Sequence, residues 1–337
     1  MQLEFEVRHL PLKHTFTIAH QSRDVQETII VKLSHGGLFG LGESTTNPFY
    51  GMTVENMSSS LKRASTAVEE LGISHPEKIW EATREHFLDN PFAQCAMDIA
   101  AWDLYAKSKG KKLYEFWGLN PANIPLSNFT IGIAPLPKMV EKMKEMEWPI
   151  YKIKLGTDHD LDIVRELRKH TDAVFRIDAN CAWTADQAIS YSKELKELGV
   201  EFMEQPLAKD DLEGMRKVFK ESKLPIIADE SCIVPSDVKK CHGLFHGINV
   251  KLVKAGGITP GLKMLAEAKS LNMKTMVGCM TESSVGISAI AHLAPLLDYV
   301  DMDGAMLLAK DIAEGVIITP EKVIFPDRPG TGALLLD

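Results

Sequence analysis

The stretch that decides the fold is VFRIDANCAWTADQAISYSKELKELGVEFMEQP, residues 174–206. An apolar run, Val174–Asp178, gives way to an amphipathic stretch and then to a second apolar run, Phe202–Glu204. That order predicts a strand, a covering helix and a second strand parallel to the first. The alternation extends both ways from Pro125 onward. Leu126–Ile131, Tyr151–Leu155, Val174–Asp178, Phe202–Glu204, Pro225–Asp229, Ile248–Leu252, Thr275–Gly278 and Tyr299–Met302 make eight runs. Eight strands close a (β/α)8 TIM-type barrel, so an α/β fold is expected over residues 121–310.

The flanks read differently. Leu3–Leu10 and Thr28–Leu33 predict strands, separated by a polar stretch, His14–Glu27, that is too long for a tight turn and reads as a loop able to reach over something. Gly36-Gly37 closes a hairpin into Leu38–Glu43, and Ser44–Thr53 is irregular. Residues 54–120 are helical, most clearly Pro91–Lys109, where Met97, Ala100, Ala101, Leu104 and Tyr105 recur at helical spacing. Residues 1–120 are therefore expected to form an α+β cap. The last segment, 311–337, contains a strand pair within Gly315–Phe325 that is expected to return to that cap.

Composition narrows the function. With 337 residues, 45% apolar and 25% charged, the chain is an ordinary globular protein, and its net charge of −8 argues against a nucleic-acid partner. Five scattered cysteines without a CxxC pair suit reduced thiols in the cytoplasm. The N-terminus lacks the features of an export signal, and no apolar run is long enough to span a membrane.

Each run carries its chemistry at its carboxyl end. Lys154, Asp178, Glu204, Asp229 and Lys251 follow one another at intervals of 24, 26, 25 and 22 residues, the length of one βα unit. Side chains repeating at the unit length occupy equivalent places on successive strands, so these five should converge on the barrel's C-terminal mouth. Three neighbouring carboxylates would repel one another there unless a hard divalent cation relieved the repulsion, and Mg²⁺ is the natural occupant. Lys154 and Lys251, from strands on opposite sides of the acids, could address opposite faces of a bound carbon. One would remove an α-proton and the other deliver one to the far face, which is what stereochemical inversion needs. Lys152, on the same strand face, would help to lower the Lys154 pKa. Lys254 and Lys239-Lys240 lack the register and read as solvated. His242, His246 and His292 read as loop or core residues, and Glu43 and Glu282 are ambiguous.

Lys152-x-Lys154, Asp178-Ala-Asn180, Glu204-Gln-Pro206, Asp229-Glu-Ser231 and Asn249-Val-Lys251-x-x-Lys254-Ala-Gly-Gly257 together resemble the enolase superfamily, specifically its muconate-lactonizing subgroup. Ala96–Leu104 and Pro326–Gly330 are similar to segments common in that subgroup. The resemblance implies that Asp178, Glu204 and Asp229 ligate Mg²⁺, that Lys154 and Lys251 are the acid/base pair, and that Lys152 contacts the substrate carboxylate. It also implies a cap whose loops, near 14–27 and 44–53, set specificity. Homo-oligomers are common in the superfamily, although no feature here argues an interface by itself.

On the eighth run, Asp301-Met302-Asp303 places two carboxylates on one strand face, where, uncompensated, they would favour an α-ammonium group. This Asp-x-Asp resembles the superfamily's dipeptide epimerases, which implies a small-molecule dipeptide inverted at the α-carbon of its C-terminal residue. Alternatives are an N-succinylamino acid racemase, an o-succinylbenzoate synthase or a muconate cycloisomerase, whose anionic substrates Asp301 and Asp303 would repel. A non-enzymatic alternative is a catalytically silent metal-binding barrel. Sugar-acid dehydratases are disfavoured by the lack of a His in Gly278–Glu282. For the second side chain, Phe49 and Tyr50 in the apolar loop Asn47–Met52 favour a hydrophobic residue, whereas Arg23, Lys13 or His20 would suit an acidic one; the apolar choice is preferred. Met280 and Thr281 complete the expected substrate contacts.

Overall fold

A computed structural model describes residues 1–19 and 21–336. It opens with an antiparallel sheet of β1 (Gln2–Ile18), β2 (Gln21–His35) and β3 (Leu38–Thr45) in that order. The stretch expected as a loop at 14–27 is instead strand at 14–18 and 21–27. β1 and β2 stay paired out to Ile18 and Gln21, with a register shift between Pro11 and Phe16. Proline cannot donate to the ladder, and a bulge accommodates it. The long hairpin still reaches over the barrel mouth, where Phe16, Ile18, Gln21 and Arg23 line the cavity.

Helices α1 (Val54–Glu69), α2 (Pro76–Thr83), α3 (Pro91–Ser108) and α4 (Leu113–Phe116) follow. Ile29, Val31 and Leu33 of the sheet share one apolar core with Met57, Leu61 and Val68 of α1 and Met97 of α3. The α3 helix lies almost in contact with β3. A Cβ at Gly42 would fall 1.9 Å from the Ala96 carbonyl oxygen, and one at Gly40 would fall 2.1 Å from that of Ala100. Gly42→Ala is therefore expected to destabilise the chain by about 3 kcal/mol, the upper end of overpacking costs. Thermal denaturation checks this, and an unchanged melting temperature would contradict the close seating.

α3 is buried on all sides because it touches three parts of the molecule. Its Asp103 accepts hydrogen bonds from Leu41 N in the sheet (2.8 Å) and from Thr331 N near the C-terminus (2.7 Å). Its Asp98 accepts from Thr259 N (2.8 Å), and Trp102 Nε1 donates to Thr259 Oγ1 (3.0 Å), at the barrel.

The barrel follows the expected alternation. β4 (Phe129–Ile131) precedes α5 (Leu136–Glu145), β5 (Ile150–Lys154) precedes α6 (Asp160–Arg168), β6 (Val174–Asp178) precedes α7 (Ala185–Glu197), and β7 (Val200–Glu204) precedes α8 (Leu212–Glu221). β8 (Ile226–Ala228) leads to α9 (Pro235–Cys241), β9 (Gly247–Val250) to α10 (Leu252–Ala255) and α11 (Ile258–Ser270), and β10 (Lys274–Gly278) to α12 (Ser284–Leu293); β11 (Tyr299–Asp301) is the last barrel strand. The eight strands are parallel and lie in sequence order, and a parallel bridge between Ser127 and Val300 joins the first to the last. The fold is thus a (β/α)8 barrel with an α+β cap.

After the barrel, β12 (Ala313–Glu314) pairs with β15 (Leu334–Leu335), and β13 (Ile317–Ile318) with β14 (Val323–Ile324). Ala313 and Ala333 pack with Ile30 and Leu41 of the cap sheet, and the Phe325 ring lies 5.1 Å from that of Tyr114. Among the described residues no helix is long and apolar enough to cross a membrane.

Candidate active site

Parallel register brings the strand-end residues together. Lys154 pairs laterally with Asp178, and Asp178 with Glu204; Asp229 directly follows β8 and Lys251 directly follows β9. Asp178, Glu204 and Asp229 are fully buried and each offers a carboxylate oxygen within 4.8 Å of the others. The lysines flank them. Lys154 Nζ lies 2.6 Å from Asp178, and Lys251 Nζ lies 2.7 Å from Asp229. β5 and β9 are the second and sixth of eight strands, so these two lysines rise from opposite walls of the barrel.

Below them Lys152 is buried among three acids, 3.1 Å from Asp178, 2.8 Å from Glu204 and 2.9 Å from Asp301. Burial alone would lower its pKa, but Asp301, Glu204 and Asp178 outweigh that and hold it well above the ordinary lysine value. Lys251 is likewise raised, because Asp229 overcomes its burial. Burial works against an ionised Asp178, yet Lys154 and Lys152 bring it down to about 2.

Two expectations need correction. Lys254, read as solvated, is wholly buried and donates to the Asp229 carbonyl at 2.6 Å and to its carboxylate. The chain turns into α10 immediately after Lys251, and three residues of helix bring Lys254 back over Asp229. Nor are Asp301 and Asp303 uncompensated. Asp301 is paired with Lys152 and accepts from Asn128 Nδ2 at 2.7 Å, while Asp303, two residues beyond the end of β11, accepts from Thr130 N at 2.5 Å. Burial and then the neighbouring Asp301 push Asp303 up to about 7.

Other side chains stand where their surroundings need them. Lys239 and Lys240 are exposed. His292 is buried between Tyr114 N and the Thr331 carbonyl, and its burial lowers the pKa to about 3. His246 stacks on Phe219. Glu43 accepts from Ser283 N and Gly286 N, both at 3.0 Å, so it ties the cap to the first turn of α12. Glu282 is buried beside it and pushed up to about 8 by burial and then by Glu43.

Several supporting residues were not singled out from the sequence. Asn249 Nδ2 donates to Glu204 at 2.8 Å. Gln205, held at φ +34°, ties β7 to the end of β8, since its Oε1 accepts from Asp229 N at 3.0 Å and from Ser231 N at 3.1 Å. A left-handed backbone at a bulky residue persists only where its surroundings enforce it. Glu230, next to Asp229, is pushed up to about 7 by burial and then by Asp229 and Asp178, and its Oε2 has no hydrogen-bond partner among the described residues.

Charge decides what this floor can hold. Six carboxylates (Asp178, Glu204, Asp229, Glu230, Asp301, Asp303) face four ammonium groups (Lys152, Lys154, Lys251, Lys254), so full ionisation leaves two negative charges for added cations to match. The donor cluster Asp178–Glu204–Asp229 is all oxygen, which suits a hard divalent ion and not zinc.

Above the floor is a cavity of about 580 Å³. Lys152, Lys154, Lys251, Asp301 and Asp303 line it from the barrel; Met280 and Thr281 line it after β10. Arg23 and Phe16 come from the hairpin and Phe49 and Tyr50 from the turn after β3. Lys13 stands outside this lining, and His20 lies outside the described residues.

Residues 136–336 match a family model described as Enolase C-terminal domain-like, and residues 3–118 match one described as Mandelate racemase / muconate lactonizing enzyme, N-terminal domain. The chain is 55% identical over 336 residues to the L-Ala-D/L-amino acid epimerase of Flavobacterium johnsoniae, covering 100% of each. Among solved structures, the substrate-liganded L-Ala-D/L-Glu epimerase of Bacillus subtilis superposes with a TM-score of 0.94 at 27% identity, covering 99% of this chain and 98% of that one. The dipeptide epimerase of Enterococcus faecalis complexed with Mg and L-Leu-L-Tyr superposes with a TM-score of 0.92 at 30% identity, over 98% of both chains.

Proposed function

The chain belongs to the mandelate racemase/muconate lactonizing enzyme family of the enolase superfamily, and on that premise we propose that it is a Mg²⁺-dependent dipeptide epimerase that inverts the α-carbon of the C-terminal residue. The observation that carries the reading is the pair of lysines on opposite barrel walls with three buried carboxylates between them.

Asp178, Glu204 and Asp229 would hold Mg²⁺, which when bound supplies an electrophile for the substrate's carboxylate and for the charge that develops on it. Lys154 takes the α-proton from one face of the second residue and Lys251 returns a proton at the other; in the reverse direction the roles exchange. Lys152, at the cavity floor, approaches the substrate carboxylate and balances its charge. Asp301 and Asp303 receive the α-ammonium. Asp303, which no ammonium group approaches within 4.0 Å among the described residues, disfavours the anionic acyl groups of N-succinylamino acids, succinylbenzoate precursors and muconate. The second side chain lies between an apolar wall of Phe49, Tyr50 and Met280 and the guanidinium of Arg23, a mixed lining that supports apolar and acidic residues alike.

The five cysteines, all free thiols, support a cytoplasmic setting. Association into homo-oligomers, and a division into 1–120, 121–310 and 311–337, belong to the same reading.

Incubated in D₂O with L-Ala-L-Xaa dipeptides, the protein is expected to introduce deuterium at the second α-carbon as the L,D epimer accumulates. Chelation should stop both and added Mg²⁺ restore them. Label found at the first residue alone would overturn the assignment.

A further inference from the structure

Beside the main cavity lies a second chamber of about 180 Å³, and Phe16 and Leu307 line both. Phe129, Met146 and Met306 make the rest of it largely apolar. Lys142, on α5, also lines it, with Nζ 5.3 Å from the centroid of the Phe129 ring and 5.9 Å from that of Phe16. Among the described residues no carboxylate lies within 4.0 Å of this ammonium. Glu145 also lines the chamber, 2.9 Å from His14, and exposed Lys13 adds a second cation at the rim, so two ammonium groups share the lining with one carboxylate. The chamber therefore carries surplus positive charge in an apolar setting.

Its position ties it to the substrate. Asp303 lines the main cavity and is held by Thr130 N, in the middle of β4 and next to Phe129 of the chamber wall. We propose that this chamber takes the side chain of the substrate's first residue, and that Lys142 makes it selective against a cationic one. The proposal rests on the dipeptide reading given above. With the α-ammonium at Asp301 and Asp303, the first α-carbon stands beside Asp303, on the side of the cavity where Phe16 and Leu307 adjoin the chamber. A methionine side chain finds apolar walls there. A lysine side chain of similar length brings a second ammonium to a partly desolvated place that already holds one, and like charges so placed are strongly disfavoured.

The test compares kcat/KM for L-Lys-L-Ala and L-Met-L-Ala in the wild type, in Lys142→Met and in Lys142→Gln, each first shown by its melting curve to be folded. The wild-type ratio of Lys to Met peptide is expected to be about 0.1 or lower, and both variants should raise it about tenfold. A ratio unchanged in both variants, with L-Met-L-Ala turned over by the wild type, overturns this inference and leaves the dipeptide reading standing. A wild type that epimerises no dipeptide overturns both.

Discussion

Replacing either Lys154 or Lys251 by alanine is expected to lower epimerisation by about 10³-fold or more, in line with the loss of a positioned acid/base group from a step that needs two. The two losses should not look alike in D₂O. Each variant keeps one amine, on one wall of the barrel, and that amine can still exchange the α-hydrogen it faces. Lys154→Ala should therefore exchange deuterium into only one epimer of the second residue, and Lys251→Ala into only the other, each without inversion. NMR of the recovered L,L and L,D dipeptides reads this directly. Exchange into the same epimer by both variants would mean that the lysines share a face.

The second large effect concerns Lys152. It bridges Asp178, Glu204 and Asp301 with almost no exposure to water. Lys152→Met would keep the volume and remove the charge, leaving three carboxylates buried without their common partner. Breaking a buried ion pair by removing one member costs about 3–5 kcal/mol, so the variant should unfold at markedly lower denaturant concentration and lose turnover as well. Chemical denaturation followed by circular dichroism checks the first part, and the epimerase assay the second. Wild-type stability in Lys152→Met would show that the three acids do not depend on that ammonium.

The barrel was legible because parallel strands copy one another. Equivalent positions recur at the length of a βα unit, and the five charged residues from Lys154 to Lys251 stand at that interval whatever the helices between them contain. Lys254 broke the rule because it sits on a helical turn after the strand, where the relevant period is three to four residues; its spacing from Lys251 was the available signal. The partners of Asp301 were hidden for another reason. Lys152 is 149 residues away, and its contact depends on the barrel closing to bring the eighth strand beside the first two. In the cap, Pro11 and a polar run concealed a strand that a register shift keeps in the ladder. Cavity walls such as Arg23 and Phe49 could be named as candidates from the chain, but their approach to Lys154 and Lys251 depends on how the hairpin folds over the mouth.

Inversion depends on where two amines stand relative to one carbon. A crystal structure with Mg²⁺ and a dipeptide measures that arrangement: the α-carbon of the second residue should lie between Lys154 Nζ and Lys251 Nζ, one approaching each face. Both nitrogens on one face, or either beyond reach of that carbon, would contradict it.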